Sequence, residues 1–245
     1  MNISFAEKYT FENWYQQTLN SKTVEECGIC KKILDDGIQE DVAAEWANYH
    51  AYFEALHVPE AIEWVNNGGD IFEWSKTHWM LNYAEDLPRT EYEELIKNIP
   101  AKKRFVHIGC GALPFTGIFF SRYFEKICLV DFDKDACDMA RDLFKALKIY
   151  NVEIFHMNGK DFPLHSDDTL LIASMVLNKP EIVAAASEKN VKNIFLRSTD
   201  GRPRGIFCQK DHVISEEYNY IYTGRTFPPQ EISNVTYQYI YSQRM

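Results

Sequence analysis

Basic residues are outnumbered by acidic ones in this sequence, and no extended Lys- and Arg-rich stretch occurs. Lys and Arg number 26 against 36 Asp and Glu, which gives a formal net charge of −10 at pH 7. Proteins bind nucleic acids and anionic membranes largely through clustered Lys and Arg side chains that displace counterions. The composition therefore predicts neither a nucleic-acid nor a membrane partner, and it favours a small-molecule ligand.

Long apolar runs are also missing. The longest uncharged stretch, residues 105–121, contains glycine and proline and is shorter than the roughly 20 apolar residues that span a bilayer. The N-terminus, MNISFAEKYTFENW, has charges and aromatic rings where a secretory signal needs a basic start and an apolar middle. We therefore expect a cytoplasmic protein without a membrane segment.

The six cysteines lack the spacing of a metal site or a disulfide framework. Only Cys27 and Cys30 form a CxxC pair, and no second pair supplies the other two ligands of a structural zinc ion. The pair lies in a helical pattern with no strand before it, unlike a thioredoxin-type site. The sequence therefore predicts no metal site, and most of the cysteines are expected to be small buried side chains.

The periodicity of apolar residues changes near residue 100. Before that point, helical spacing occurs in four segments, which are 5–19, 24–36, 40–56 and 59–67. After it, short β-rich runs begin at 104, 126, 152, 169 and 193 and alternate with helical patterns at 115–124, 133–149 and 179–189. Near the end, YQYIYSQ alternates like an edge or hairpin strand.

Alternating strands and helices predict an α/β fold with a doubly wound, Rossmann-like parallel sheet. Right-handed crossovers in such a sheet place ligands at the carboxyl ends of the strands. We expect two domains, a helical cap over 1–100 and a cofactor-binding domain over 101–245, with the ligand between them.

A glycine turn follows the first of these strands. Gly109 and Gly111 lack side chains where the chain must turn tightly and approach a ligand closely. Asp131 ends the next strand about twenty residues later, where a carboxylate can accept hydrogen bonds from both ribose hydroxyls. Pro114 stands where a dinucleotide site needs a small residue, which disfavours pyrophosphate and favours S-adenosylmethionine. A glycine turn without a ligand is the alternative.

Polar residues follow the later strands as well. Asn158 and Asp161 come after the third strand, where a polar loop meets the adenine amine, although a capped loop without ligand contact explains them nearly as well. Ser174 follows the fourth strand at the mouth of the site. Arg197 ends the fifth strand and can pair with a carboxylate, either of the ligand or of a neighbouring acid.

Four motifs resemble one family of enzymes. GCGALPFTGI is similar to the GSGPLPLTS signature of nicotianamine synthases and the GSGAYPMT of bacterial opine-metallophore synthases. VDFDKDA resembles their acidic second-strand motif, FLRSTDGRPRGIF their LRSAHG or MRFGDG segment, and WMLNYAEDL their YYDNY element. The resemblance covers roughly residues 55–210. It departs from the family at Cys110, where serine is usual, and in its shorter cap.

The resemblance implies a class I methyltransferase fold and an unusual use of S-adenosylmethionine. Such enzymes transfer the 3-amino-3-carboxypropyl group to an amine and release methylthioadenosine. Because the amine arrives as an ammonium ion, a general base is expected. By local pattern the resemblance points to Tyr83 together with Glu60 or Glu63 of the cap, or to neither glutamate, since Glu60 also suits a first helical turn after Pro59.

Several functions stay open at this point. The acceptor is a small amine in metallophore synthesis, or there is none and S-adenosylmethionine closes on itself to give azetidine-2-carboxylate. An ordinary small-molecule methyltransferase and a non-catalytic S-adenosylmethionine-binding protein are the alternatives. The sequence names no acceptor and leaves a homodimer open.

Overall fold

The computed structural model describes residues 26–37, 39–78, 81, 84–94, 96–99, 102–197, 220–226 and 238–243. The helix expected over 5–19 lies outside these residues, as does Tyr83. In the part that is described, no helix is long and apolar enough to cross a membrane.

The first part of the described chain is helical. Helix α1 spans Gly28–Asp35, α2 spans Gln39–Asn66, α3 spans Ile71–Lys76 and α4 spans Asp86–Glu94, and a 3₁₀ turn follows at Ile96–Asn98. Cys27 and Cys30 are both buried at the start of α1.

Helix α2 runs unbroken through Pro59. The prediction of two separate helices, over 40–56 and 59–67, was therefore wrong. A proline inside a helix removes one hydrogen bond and costs about 3 kcal/mol or more. Here Val58 and Ala61, on either side of it, are 3% and 0% exposed and belong to a core cluster with Phe72 and Trp74 of α3. Tertiary packing of the helix face therefore outweighs the local signal to stop.

In the described part of the chain, the strands form a seven-stranded sheet in the order β3-β2-β1-β4-β5-β7-β6. Their bounds are Arg104–Ile108, Lys126–Asp131, Val152–His156, Thr169–Ile172, Asn193–Arg197, Tyr220–Thr226 and Gln238–Gln243 for β1 to β7. Strands β1 to β5 are parallel, and β7 is antiparallel to both β5 and β6. The expected α/β sheet is confirmed. The last strand does pair as a hairpin with β6, but it lies inside the sheet, and the edge is β6.

Helices cross between the parallel strands as the alternation predicted. They are α5 (Phe115–Phe120), α6 (Lys134–Leu147) and α7 (Lys179–Glu188), with a 3₁₀ turn at Gly159–Asp161. Helix α2 packs against α6, which brings the N-terminal helices to the sheet.

The two faces of the sheet bury different apolar clusters. On β1, Val106 and Ile108 belong to the cluster on one face, and Phe105 belongs to the cluster on the other. Side chains alternate along a strand, so His107 shares the face of Phe105. That face also carries Leu129 and Leu171, the direct neighbours of His107 on β2 and β4. A histidine is thus placed in an otherwise apolar layer.

Candidate active site

The loop after β1 turns through two glycines in the left-handed region. Gly109 has a φ of +79° and Gly111 a φ of +67°, which side chains with a Cβ rarely adopt. A Cβ atom on Gly109 would also lie 2.5 Å from Cγ2 of Val176. Conformation and space therefore both require glycine at 109, at the edge of the sheet where this kind of fold binds its ligands.

Asp131 ends β2 and holds this loop. Its carboxylate accepts hydrogen bonds from the backbone N–H of Gly111 at 2.9 Å and of Asp133 at 3.1 Å. Burial raises the pKa of the Asp131 carboxyl, and the two N–H donors oppose that rise. Asp133 lies beyond the strand and caps α6, accepting from the N–H groups of Asp135 and Ala136. Asp131 therefore fixes the glycine loop, whereas Asp133 caps the N-terminus of α6.

Glu54 of α2 reaches across to the same loop. Its Oε2 atom accepts hydrogen bonds from the N–H of Ala112 at 2.9 Å and of Leu113 at 3.3 Å. Its other oxygen, Oε1, lies 3.2 Å from Nδ1 of His50, one helical turn earlier. Glu54 is only 9% exposed. A carboxylate of the N-terminal helices is thus fixed against the glycine loop of the sheet.

Arg197, at the end of β5, pairs with a neighbouring acid. Its Nε and Nη2 atoms donate to the two carboxylate oxygens of Glu91, both at 3.0 Å, and Nη2 also donates to Oγ1 of Thr116 at 2.7 Å. Glu91 is fully buried. This bidentate pair joins α4 to β5, and Thr116 ties it to α5. The sequence left two partners open for Arg197, a carboxylate of the ligand or a neighbouring acid. In the structure the partner is a neighbouring acid, Glu91.

His107 has an unusual environment. It is 3% exposed, and within the described part of the chain neither ring nitrogen has a hydrogen-bond partner. Burial, together with the positive charge of Arg197, holds the pKa of His107 well below its usual range of about 6.5, so the ring is neutral. A neutral imidazole offers one hydrogen-bond donor and one acceptor. Burying both without hydrogen bonds costs folding free energy.

One cavity brings these groups together. Glu54, His107 and Arg197 all line it. Arg197 was predicted from the sequence, and three further predicted residues line the cavity, namely Gly109, Pro114 and Ser174. The rest of the described lining consists of His50, Leu81, Ala84, Leu87, Pro88, Cys110, Leu113, Phe115, Thr116, Ala173 and Met175. Burial raises the pKa of the Cys110 thiol well above its usual value, so it is not a thiolate nucleophile.

Other predicted residues lie elsewhere. Gly111 and Asp131 belong to the glycine loop and its hydrogen bonds, but they are not among the described residues that line the cavity. Asn158 caps the 3₁₀ turn by accepting from the N–H of Lys160, and it also accepts from Nδ2 of Asn178. Asp161 is exposed in the same turn. These contacts match the capped-loop alternative.

Neither cap glutamate predicted from the sequence is among the described lining residues. Glu63 is exposed, and the Glu60 side chain is 58% exposed, with Oε1 accepting from Nε1 of Trp74 at 3.1 Å. Glu54 precedes Glu60 by six residues, about 9 Å along the helix axis. The local pattern around PEAIEW indicated α2, the same helix that brings Glu54 to the cavity. The i,i+4 spacing of His50 and Glu54 in HAYFE is compatible with their pairing, but it carries no sign of the contacts between Glu54 and the glycine loop.

Comparison with known proteins establishes the fold. No protein-family model and no curated protein matches the sequence. Among solved structures, a glutamate-to-glutamine variant of MtNAS, a nicotianamine synthase, in complex with S-adenosylmethionine aligns over 96% of this chain and 89% of its own, with a TM-score of 0.69 and 18% identity. MtNAS in complex with MTA and tNA aligns over 88% and 80%, with a TM-score of 0.65 and 17% identity.

The alignment with a methyltransferase covers less of this chain. The N-methyltransferase NodS from Bradyrhizobium japonicum, in complex with S-adenosyl-L-homocysteine, aligns over 67% of this chain and 87% of its own, with a TM-score of 0.51 and 12% identity. The chain therefore has a nicotianamine synthase-like class I methyltransferase fold, as its motifs predicted. The likeness to MtNAS extends further along the chain than the likeness to NodS.

Proposed function

We propose that this protein is an S-adenosylmethionine-dependent transferase that moves the 3-amino-3-carboxypropyl group of S-adenosylmethionine to a small amine, such as an amino acid, and releases methylthioadenosine. Support for the cofactor comes from the glycine loop and from Asp131 at the ends of neighbouring strands, the positions at which this fold type holds a nucleoside. The MtNAS structures with S-adenosylmethionine and with MTA support the same ligand class.

The choice of the γ-carbon rests on the likeness to MtNAS, which covers 96% of this chain, whereas the likeness to NodS covers 67%. The placement of Glu54 supports an amine as the acceptor. An ammonium acceptor needs a base, because its nitrogen has no lone pair until a proton leaves. Glu54 is held at the cavity by two backbone N–H groups, and among the described side chains of α2 it is the acid that lines the cavity. We assign Glu54 as the general base.

The chemistry that follows is a displacement at carbon. The acceptor nitrogen gives its proton to Glu54 and attacks the γ-carbon of the methionine chain. As the N–C bond forms, the Cγ–S bond breaks and its electron pair returns to sulfur, which converts the sulfonium to the neutral thioether of methylthioadenosine. The rate depends on holding nitrogen, carbon and sulfur in line at roughly 3 to 3.5 Å approach. The loop after β1 and the Glu54 carboxylate are fixed by hydrogen bonds, so they can hold the reacting groups in such an alignment.

His107 and Arg197, which line the same cavity, provide recognition of the ligand. The imidazole has a donor and an acceptor without protein partners in the described chain, so a polar group of the ligand that enters the cavity can satisfy them. The guanidinium, anchored by Glu91, adds positive charge beside it. A carboxylate can accept a hydrogen bond from the imidazole N–H and is attracted by the guanidinium charge, and both the methionine part of S-adenosylmethionine and an amino-acid acceptor carry one.

Product analysis tests the proposal. Purified protein is incubated with S-adenosylmethionine, with and without a panel of amino acids, and the nucleoside products are separated by chromatography. Methylthioadenosine that appears only with an added amine supports transfer. If it appears without one, together with azetidine-2-carboxylate, the same bond breaks but the amine of S-adenosylmethionine is the acceptor. S-adenosylhomocysteine as the main nucleoside would overturn the proposal in favour of methyl transfer.

A further inference from the structure

A second cluster of chemically active side chains lies away from the cavity lining. His57 and Glu60 are one turn apart on α2, and His78 follows α3. One ligand atom from each of the three residues lies within 4.8 Å of the other two. Two imidazoles and a carboxylate are a donor set that zinc and related divalent ions use.

The two imidazoles are oriented by their other nitrogens. Nδ1 of His57 lies 2.7 Å from the carbonyl oxygen of Phe53, and Nδ1 of His78 lies 3.3 Å from that of Trp74 and 2.9 Å from Oγ1 of Thr77. Metal-binding histidines usually donate the distal N–H to a carbonyl in this way, which fixes the tautomer and leaves Nε2 as the ligand atom. Nε2 of His78 faces Oε2 of Glu60 at 3.6 Å.

The carboxylate is oriented as well. Oε1 of Glu60 accepts from Nε1 of Trp74 at 3.1 Å, and the Trp74 ring is 1% exposed and lies against the His78 ring at 4.5 Å between centroids. The rings of His57 and His78 meet edge to face at 4.8 Å. A buried tryptophan thus anchors two of the three ligands, while Glu60 stays open enough to solvent for water to complete a coordination shell.

A rival cluster shows what an unsuitable arrangement looks like. His165, Asp167 and Asp168 also bring three candidate donors together. There, Arg104 donates from Nε and Nη2 to both oxygens of Asp168 at 2.6 Å, and Lys103 lies 3.6 Å from Asp167. A cation would have to displace an arginine already in place. In the described chain, Glu60 has no Lys or Arg ion-pair partner.

We propose that His57, Glu60 and His78 form a binding site for a divalent transition-metal ion, with Zn²⁺ the best match to two imidazole nitrogens and one carboxylate. The site joins α2 to the segment after α3, which leads directly to Leu81 and Ala84 in the cavity wall. Its role is to hold that wall in place, and it takes no part in the displacement proposed above.

Metal titration of the full-length protein tests the site. After treatment with a chelator, the protein is titrated with Zn²⁺ by calorimetry, and one equivalent is expected to bind. His57→Ala and His78→Ala should each weaken binding by more than about tenfold, the scale on which even outer-shell changes act. His165→Ala is the matched control, since it removes a histidine of the rival cluster, and it should bind as the wild type does. Absence of zinc binding in the wild type, or wild-type affinity for zinc in both alanine variants, would overturn the proposal.

A second measurement needs no variant. The wild-type protein is loaded with Co²⁺ in place of zinc, and its absorption spectrum is recorded. Nitrogen and oxygen ligands give visible ligand-field bands without a thiolate charge-transfer band in the near ultraviolet. A thiolate band would assign the metal to cysteine, as at Cys27 and Cys30, and would contradict the site proposed.

Discussion

A Cβ atom on Gly111 would lie 2.2 Å from Oε2 of Glu54, although the two residues are 57 positions apart and belong to a turn of the sheet and a helix of the N-terminal part. A side chain at 111 would therefore have to displace the Glu54 carboxylate, in addition to the strain of the positive φ. The contact links the fold to the proposed chemistry, because the base can reach the loop only where the loop has no side chain.

Gly111→Ala should displace the Glu54 side chain from its hydrogen bonds with Ala112 and Leu113. Turnover should fall by more than about tenfold, since the base leaves its place. Gly37→Ala is the matched control, because Gly37 has a similar φ of +66° with nothing within 4 Å of an added Cβ. Both variants should lose about 1–2 kcal/mol of unfolding free energy from left-handed strain. Equal turnover in the two would show that the contact has no functional role.

Glu54→Gln should separate chemistry from binding. Glutamine keeps the size of the side chain and an oxygen that can accept from Ala112, but it cannot take up a proton. We expect turnover to fall by about 10²- to 10⁴-fold while the affinity for S-adenosylmethionine, measured by calorimetry, changes little. Glu63→Gln, an exposed position on the same helix, should retain full activity. A fully active Glu54→Gln variant would remove the assignment.

Glu91→Gln should destabilise the protein strongly. It leaves the Arg197 guanidinium half-buried beside a partner that carries no charge, and breaking a buried pair in this way costs about 3–5 kcal/mol. Glu153→Gln breaks the exposed pair with Lys126 and should cost at most about 1 kcal/mol. The unfolding free energies of the two variants in urea provide the comparison. Similar values would mean that the Arg197 pair contributes no more than a surface contact.

His107 should make stability dependent on pH in the acid range. Because the folded-state pKa is depressed, the unfolded chain takes up a proton below about pH 6.5 that the folded chain cannot accept. This contribution is absent above that pH and destabilises the fold progressively as the pH falls below it. His107→Gln cannot titrate, so the wild type should lose stability relative to it between pH 7 and 5. Parallel pH profiles of the two proteins would contradict the burial of a neutral ring.

Much of the sheet could be predicted because its signals are local. Strands β1 to β5 begin at 104, 126, 152, 169 and 193, the positions where the β-rich runs begin. The turn at Gly109 and Gly111 was predictable for the same reason, because the residues that adopt its left-handed conformation are glycines that the sequence shows directly. The continuous helix through Pro59 was not, because the packing that overrides proline comes from α3.

The position of the candidate base was not predictable either. Glu54 is defined by contacts with Ala112 and Leu113, more than fifty residues later, and nothing in the sequence around it records them. The motif-based expectation therefore indicated α2 but did not include the glutamate that the structure places in the cavity. The position of β7 between β5 and β6 likewise depends on pairing partners and not on its own alternation.

The fate of an isotopic label tests the central claim most directly, namely that the Cγ–S bond is the one that breaks. S-adenosylmethionine carrying ¹³C in its methyl group is converted by the enzyme, and the products are analysed by mass spectrometry. The account predicts that all of the label leaves in methylthioadenosine and none reaches the amine product or an azetidine. Label in the acceptor, with unlabelled S-adenosylhomocysteine as the second product, would show that the protein transfers the methyl group instead.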